Sequence, residues 1–139
     1  MDISKELLDQ IVAHAQELPD EECCGVVAVE DLAARRAVRV YRAENVHRSS
    51  LRFEIEPSEL LRLYEAIEDE GWELGAIYHS HVRSAPYPSQ TDVGFAAFWP
   101  RVEWLIVGLS DPASPDVRSY AIDGAEIEEV PINVGEVPI

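Results

Sequence analysis

The chain has 139 residues, 47% of them hydrophobic, with 27 acidic and 11 basic side chains and a net charge of −16. That length fits one compact domain with a single core over residues 1–139, and the apolar share excludes a wholly disordered chain. The acidity excludes nucleic acid and anionic membrane surfaces as partners, since both require a basic footprint. It leaves a basic or neutral protein partner, a small molecule, or simply a solubilising surface.

Residues 4–17 place Leu7, Leu8, Ile11, Val12 and Ala15 at helical spacing behind a Ser4 N-cap, with the stop near Leu18-Pro19. The start of the chain is charged and has no signal-peptide core, and no apolar run is long enough to span a membrane. Cys23 and Cys24 are the two cysteines, and neighbours rarely bridge each other. No disulfide framework exists, and the expected compartment is reducing and cytoplasmic. Residues 24–29 read as a buried strand and residues 37–42 as an alternating one, with a weaker third over 51–55. Pro57 opens an amphipathic helix that Gly71 ends. A strand follows over 74–79, a Ser- and Pro-rich loop over 81–89, and a short helix over 90–98 ended by Pro100. Residues 104–109 form an apolar strand, 111–116 a turn, and 117–122 with 126–130 a hairpin around Asp123-Gly124. This order predicts an α/β sandwich, helices packed on a largely antiparallel sheet. Trp99, Trp104 and Phe98 are assigned to core packing, with a homodimer interface as the other use.

Chemistry concentrates in His79-Ser80-His81 and Ser89-Gln90-Thr91-Asp92. Histidines at i and i+2 on a strand project to the same face and can converge on one ion. Asp92, beyond the loop, completes a three-ligand set with one tetrahedral position left for water, the pattern of a catalytic rather than a structural zinc. Nitrogen and oxygen donors together fit one Zn²⁺ per chain best, with Fe²⁺, Mn²⁺ or Co²⁺ as substitutes. Glu22, just before the first of these strands, is the candidate general base, and Glu21 its local competitor. Ser89 offers a hydroxyl donor for an oxyanion.

Each feature has a plainer use. An isolated HxH on a strand is more often a surface pair. Ser89-x-x-Asp92 behind Pro88 is by itself a helix capping signature, and a metal-bound carboxylate is expected not to be free for the Ser89 N–H. His14 and His47 have no partner motif and read as surface residues. Cys23 and Cys24 read as core packing, not as nucleophiles. The functional reading rests on the conjunction of the parts.

His79-Ser80-His81, seven residues, Ser89, two residues and Asp92 together resemble the motif of the JAMM (MPN+) metalloproteases. Pro19-Asp20-Glu21-Glu22-Cys23-Cys24-Gly25-Val26-Val27 resembles that family's glutamate segment, in which Glu is followed by any residue, Cys and Gly; the alignment selects Glu22 over Glu21. The resemblance spans nearly the whole chain. It implies a cytidine deaminase-like α/β/α sandwich with a curved, mostly antiparallel mixed sheet. It implies zinc on His79, His81 and Asp92, Glu22 as acid/base, Ser89 supporting the oxyanion, and hydrolysis of an amide bond. Ile77-Tyr78-His79-Ser80-His81 and Tyr87-Pro88-Ser89-Gln90-Thr91-Asp92-Val93 look most like the short bacterial members that release cysteine from a ubiquitin-like sulfur-carrier protein with a Gly-Gly tail. A broader isopeptidase for ubiquitin-like conjugates and a non-catalytic scaffold are the other readings. Val82 departs from the broad family, where many members carry proline. Long insertions of the kind eukaryotic relatives use to grip ubiquitin are absent, which weakens a deubiquitinase reading.

Overall fold

The computed structural model describes residues 1–135. Its elements are β1 (Asp2–Ser4), α1 (Lys5–Glu17), β2 (Cys24–Val29), β3 (Ala37–Ala43), α2 (Pro57–Asp69), β4 (Glu73–His81), α3 (Gln90–Ala96), β5 (Glu103–Gly108), β6 (Asp116–Asp123), β7 (Glu126–Val130) and β8 (Asn133–Gly135). The helices begin where the sequence supplies caps. Ser4 Oγ accepts the Leu7 N–H at 3.2 Å, and the Glu56 carboxylate accepts from the Ser58 and Glu59 N–H groups in front of α2. Gly71, at φ +79°, turns the chain out of α2 in the left-handed conformation that glycine adopts without strain.

Six strands form the main sheet in the order β3-β2-β4-β5-β6-β7. Only β4 and β5 run parallel, and α3 lies in the crossover between them. All other neighbours are antiparallel. Strand alternation splits the core in two. Val26, Ala28, Ile77, Trp104 and Ile106 pack under α2 and α3 with Leu63, Ile67 and Ala96. Val27, Val29, Ala76, Tyr78, Leu105 and Val107 pack under α1 with Ile11 and Ala15. This is the expected α/β/α sandwich on a mixed, mostly antiparallel sheet. No helix among the described residues is long and apolar enough to cross a membrane.

Several expectations are corrected. Residues 51–55 form no strand; a lone bridge joins Ile55 to Asn45. The short helix ends at Ala96 instead of Phe98, and β4 continues to His81, so both histidines lie within the strand. β1 and β8, three residues each, pair in parallel as a separate two-stranded sheet. His14 is not a surface residue but 5% exposed, with Nδ1 2.7 Å from the Tyr78 hydroxyl. Trp104 is in the core and Trp99 half-buried, but Phe98 is 78% exposed and packs in no core.

Candidate metal centre

β4 sends alternate side chains to opposite faces of the sheet. Ala76 and Tyr78 therefore point toward α1, while Ile77, His79 and His81 share the face covered by α2 and α3. His79 Nε2 and His81 Nε2 approach to 3.1 Å. Asp92 Oδ2 lies 3.2 Å from the first and 3.4 Å from the second. Donor atoms on a tetrahedron around zinc, with bonds of about 2.0–2.1 Å, stand about 3.3 Å apart. The three separations here match such edges, so these residues fit a metal ion of that kind. His81 Nδ1 lies 2.8 Å from the Ala85 carbonyl; donating its proton there leaves Nε2 as the free lone pair. The Phe53 ring stacks on His79, with centroids 4.4 Å apart and planes at 22°.

Asp92 reaches this point because it is the third residue of α3. Ser89 Oγ accepts the Asp92 N–H at 3.1 Å, and Asp92 Oδ2 accepts the Ser89 N–H at 2.9 Å. The reciprocal pair is a capping box. The expected conflict between capping and ligation does not arise, since the same carboxylate faces the Ser89 N–H and both imidazoles. Ser89 itself is exposed at the helix start; its oxygen accepts from the backbone, and its own proton stays free to donate.

Glu22 enters through the register of β2. Cys24 pairs with His79, and the pairing extends one step further: Ser80 N–H donates to the Cys23 carbonyl at 3.1 Å, and Cys23 N–H to Ser80 Oγ at 2.9 Å. Glu22, two residues before Cys24, shares its face and falls opposite His81. Its carboxylate and the two imidazoles each place a donor atom within 4.8 Å of the others. Asp92 belongs with the histidines on its own shorter distances, and Glu22 sits beside them. Gly25 lets the strands lie this close: a Cβ there would stand 2.3 Å from the Tyr78 ring.

Electrostatics separate the four groups. Burial pushes the Glu22 carboxyl up to about 7, with Asp92 adding to the effect and His81 opposing it. A cation on the histidines would draw it back down. Burial also lowers His79, against the pull of Asp92. At His81 burial opposes protonation, but hydrogen bonds to Asp92 and Ala85 outweigh it and raise the group. Asp92 is pushed up by burial, yet its bonds to both histidines and to the Ser89 N–H hold it far below the usual carboxylate range. Cys23 is pushed by burial to about 11 and Cys24 higher still, so neither is a ready thiolate.

All five expected residues thus lie in one region: His79, His81 and Asp92 at a point, Glu22 beside them, and Ser89 bonded to Asp92. The residues that support them carried no motif. Phe53 and Asn45 lie in segments read as a weak strand and a connection, and the Ala85 contact is a backbone carbonyl that no sequence pattern marks.

The profile of the prokaryotic homologs of the JAB domain matches residues 4–123. The chain belongs to that family. A CysO-cysteine peptidase of Mycobacterium tuberculosis is 34% identical over 134 residues, covering 96% of this chain and 90% of the relative. A desampylase of Haloferax volcanii is 34% identical over 141 residues, covering 96% of both. A probable TtuB-protein conjugate cleaving protease of Thermus thermophilus is 35% identical, covering 90% of this chain and 78% of the relative. All three are hydrolases by name. Among solved structures, a Desulfitobacterium hafniense protein superposes with a TM-score of 0.86 at 29% identity, covering 98% of this chain and 93% of the other. A JAB1/MPN domain protein from Archaeoglobus fulgidus shares the fold with a TM-score of 0.65 at 22% identity, covering 98% of this chain and all of the other.

Proposed function

We propose that this chain is a zinc metallopeptidase that hydrolyses the amide bond after the C-terminal glycine of a ubiquitin-like sulfur-carrier protein, releasing cysteine. The observation that carries the reading is the convergence of His79, His81 and Asp92 at tetrahedral spacing with the Glu22 carboxylate alongside. Zinc held by these three residues would supply Lewis acidity, lowering the pKa of a water to about 7 and polarising the scissile carbonyl. Glu22 takes the proton of the attacking water and returns it to the leaving amine as the C–N bond breaks. Ser89 donates its free hydroxyl proton to the oxygen that gains charge as the carbonyl is attacked. The Ala85 carbonyl holds His81 in the tautomer whose Nε2 faces the site. The similarity to a CysO-cysteine peptidase over 96% of this chain supports cysteine as the leaving group.

A second reading, cleavage of ubiquitin-like proteins from other proteins, is favoured by the equally similar desampylase and conjugate-cleaving relatives. The two readings separate on substrate. The protein is incubated with a Gly-Gly carrier bearing amide-linked cysteine and, in parallel, with the same carrier joined to a lysine side chain, and products are followed by mass spectrometry. Cysteine release at a higher kcat/KM supports the first reading; turnover of the lysine conjugate alone assigns the second. Purified protein that takes up no stoichiometric zinc and cleaves neither conjugate would be a scaffold.

A further inference from the structure

Asn45, just beyond β3, is 3% exposed and uses its whole hydrogen-bonding capacity on backbone. Its Nδ2 donates to the Glu22 carbonyl and to the Arg52 carbonyl, each at 3.0 Å. Its Oδ1 accepts the His47 N–H at 3.1 Å and the Glu54 N–H at 3.2 Å. Two carbonyls on one side and two N–H groups on the other fix the orientation of the amide. These partners come from three separate stretches of chain. One carries Glu22, whose own N–H donates to the Ser49 carbonyl at 2.8 Å. Another flanks Phe53 on both sides, and Phe53 stacks on His79.

We propose that Asn45 is a positioning residue for the reaction: through the Glu22 carbonyl and the two residues flanking Phe53, one buried amide sets the general base and the ring behind the first histidine at a fixed spacing. The inference rests on Glu22 as the base. His79 and His81 are held by β4, and Asp92 by the α3 capping box, so Asn45 governs the base and leaves the metal ligands in place. Proton transfer is sensitive to such placement; a shift of about 1 Å costs on the order of 100-fold in rate. A residue that only stabilised the fold would change the amount of active protein, not the turnover of each folded, metal-loaded molecule.

The test compares Asn45→Ala, Asn45→Asp, Glu22→Gln and the Asn45→Ala/Glu22→Gln double variant on the carrier–cysteine conjugate, with Ile67→Ala, in the core under α2, as a destabilised control. Asn45→Asp keeps the shape and the two accepted bonds but loses the two donated ones, so it carries the test if the alanine variant folds poorly. Both Asn45 variants should keep one zinc per chain and a KM within about 2-fold, and lose about 10- to 100-fold in kcat. Asn45→Ala should add nothing to the loss caused by Glu22→Gln, since a base that is gone needs no placement. In the metal-free protein, amide exchange at Glu22 should quicken in Asn45→Asp, at Glu54 as well in Asn45→Ala, whose side chain no longer accepts that N–H, and stay unchanged at Leu105 of β5. Full turnover by Glu22→Gln would overturn the base reading and this inference with it. If Glu22→Gln is inactive while folded, zinc-loaded Asn45 variants keep their kcat, only the inference falls. It falls equally if the two losses multiply in the double variant, or if Ile67→Ala loses kcat to the same extent.

Discussion

Ser89 is expected to do two jobs with one hydroxyl, and they can be taken apart. As the N-cap of α3 its oxygen accepts the Asp92 N–H. Replacing such a cap by alanine costs about 1 kcal/mol, or roughly 3–5 °C in melting temperature for a domain of this size. As a donor to developing negative charge, its loss costs about 2.7–4 kcal/mol of barrier, a 100- to 1,000-fold fall in kcat. Ser89→Ala loses both functions. It also loosens the first turn of a seven-residue helix that carries Asp92, so its activity alone is ambiguous. Ser89→Gly resolves the ambiguity: glycine at the cap costs only a few tenths of a kcal/mol and has no side chain to donate. Thermal melts of the zinc-loaded proteins should place Ser89→Gly within about 1–2 °C of the parent and Ser89→Ala below both. Steady-state kinetics on the carrier–cysteine conjugate should show both variants down 100-fold or more in kcat. If Ser89→Gly recovers turnover together with stability, Ser89 acts only by holding Asp92, and the donor role is refuted.

Chelation should destabilise the protein measurably. Zinc at 100 times its dissociation constant adds about 2.7 kcal/mol, or roughly 8–14 °C, and Asp92→Ala should abolish that shift in differential scanning calorimetry. Burial holds His14 down to about 4, with Arg42 adding to the effect and Glu17 opposing it. Its folded value lies below its unfolded one, so its contribution is complete above about pH 6.5 and fades as pH falls toward 4. The loss is at most about 3 kcal/mol, and urea titrations of His14→Gln across that window should show a flatter pH dependence; an unchanged slope would reject His14 as the source. Gly25→Ala should lose about 1–3 kcal/mol, read from denaturant midpoints, because the new Cβ would meet the Tyr78 ring at 2.3 Å.

Much of this was legible in the sequence, and what was not has physical causes. The three helices and strands β2 to β7 follow from periodicity, caps and turn residues. β1 and β8 are three-residue strands joining opposite ends of the described chain, too short for alternation to register. Residues 51–55 do alternate, but Asn45 takes up the Arg52 carbonyl and the Glu54 N–H that a neighbouring strand would otherwise bind. His14 could have been placed correctly. Leu7, Ile11, His14 and Leu18 fall at helical spacing on one stripe, and position within a stripe outweighs polarity when a partner such as Tyr78 waits beneath it. The choice of Glu22 over Glu21 is also written in strand parity. The six residues of β2 are all buried, so nothing in CGVVAV tells one face from the other; only pairing with His79 reveals that Glu22 is in phase with Cys24, Val26 and Ala28.

That parity makes the two faces of β4 complementary in function. His79 and His81 point toward the face under α2 and α3, while Tyr78 and Ser80 point away. Ser80 does not lie idle there, since its hydroxyl accepts the Cys23 N–H and, with its own N–H on the Cys23 carbonyl, continues the ladder to where Glu22 must stand. Tyr78 lies flat against Gly25 on the same far face and reaches His14 of α1. The far face therefore sets the spacing of the two strands that carry Glu22 and the histidines, and α1 holds that face down. A side chain larger than hydrogen at position 25 acts on the site through this lever, by forcing Tyr78 off the strand and moving β2 against β4, even though it touches none of the reacting groups.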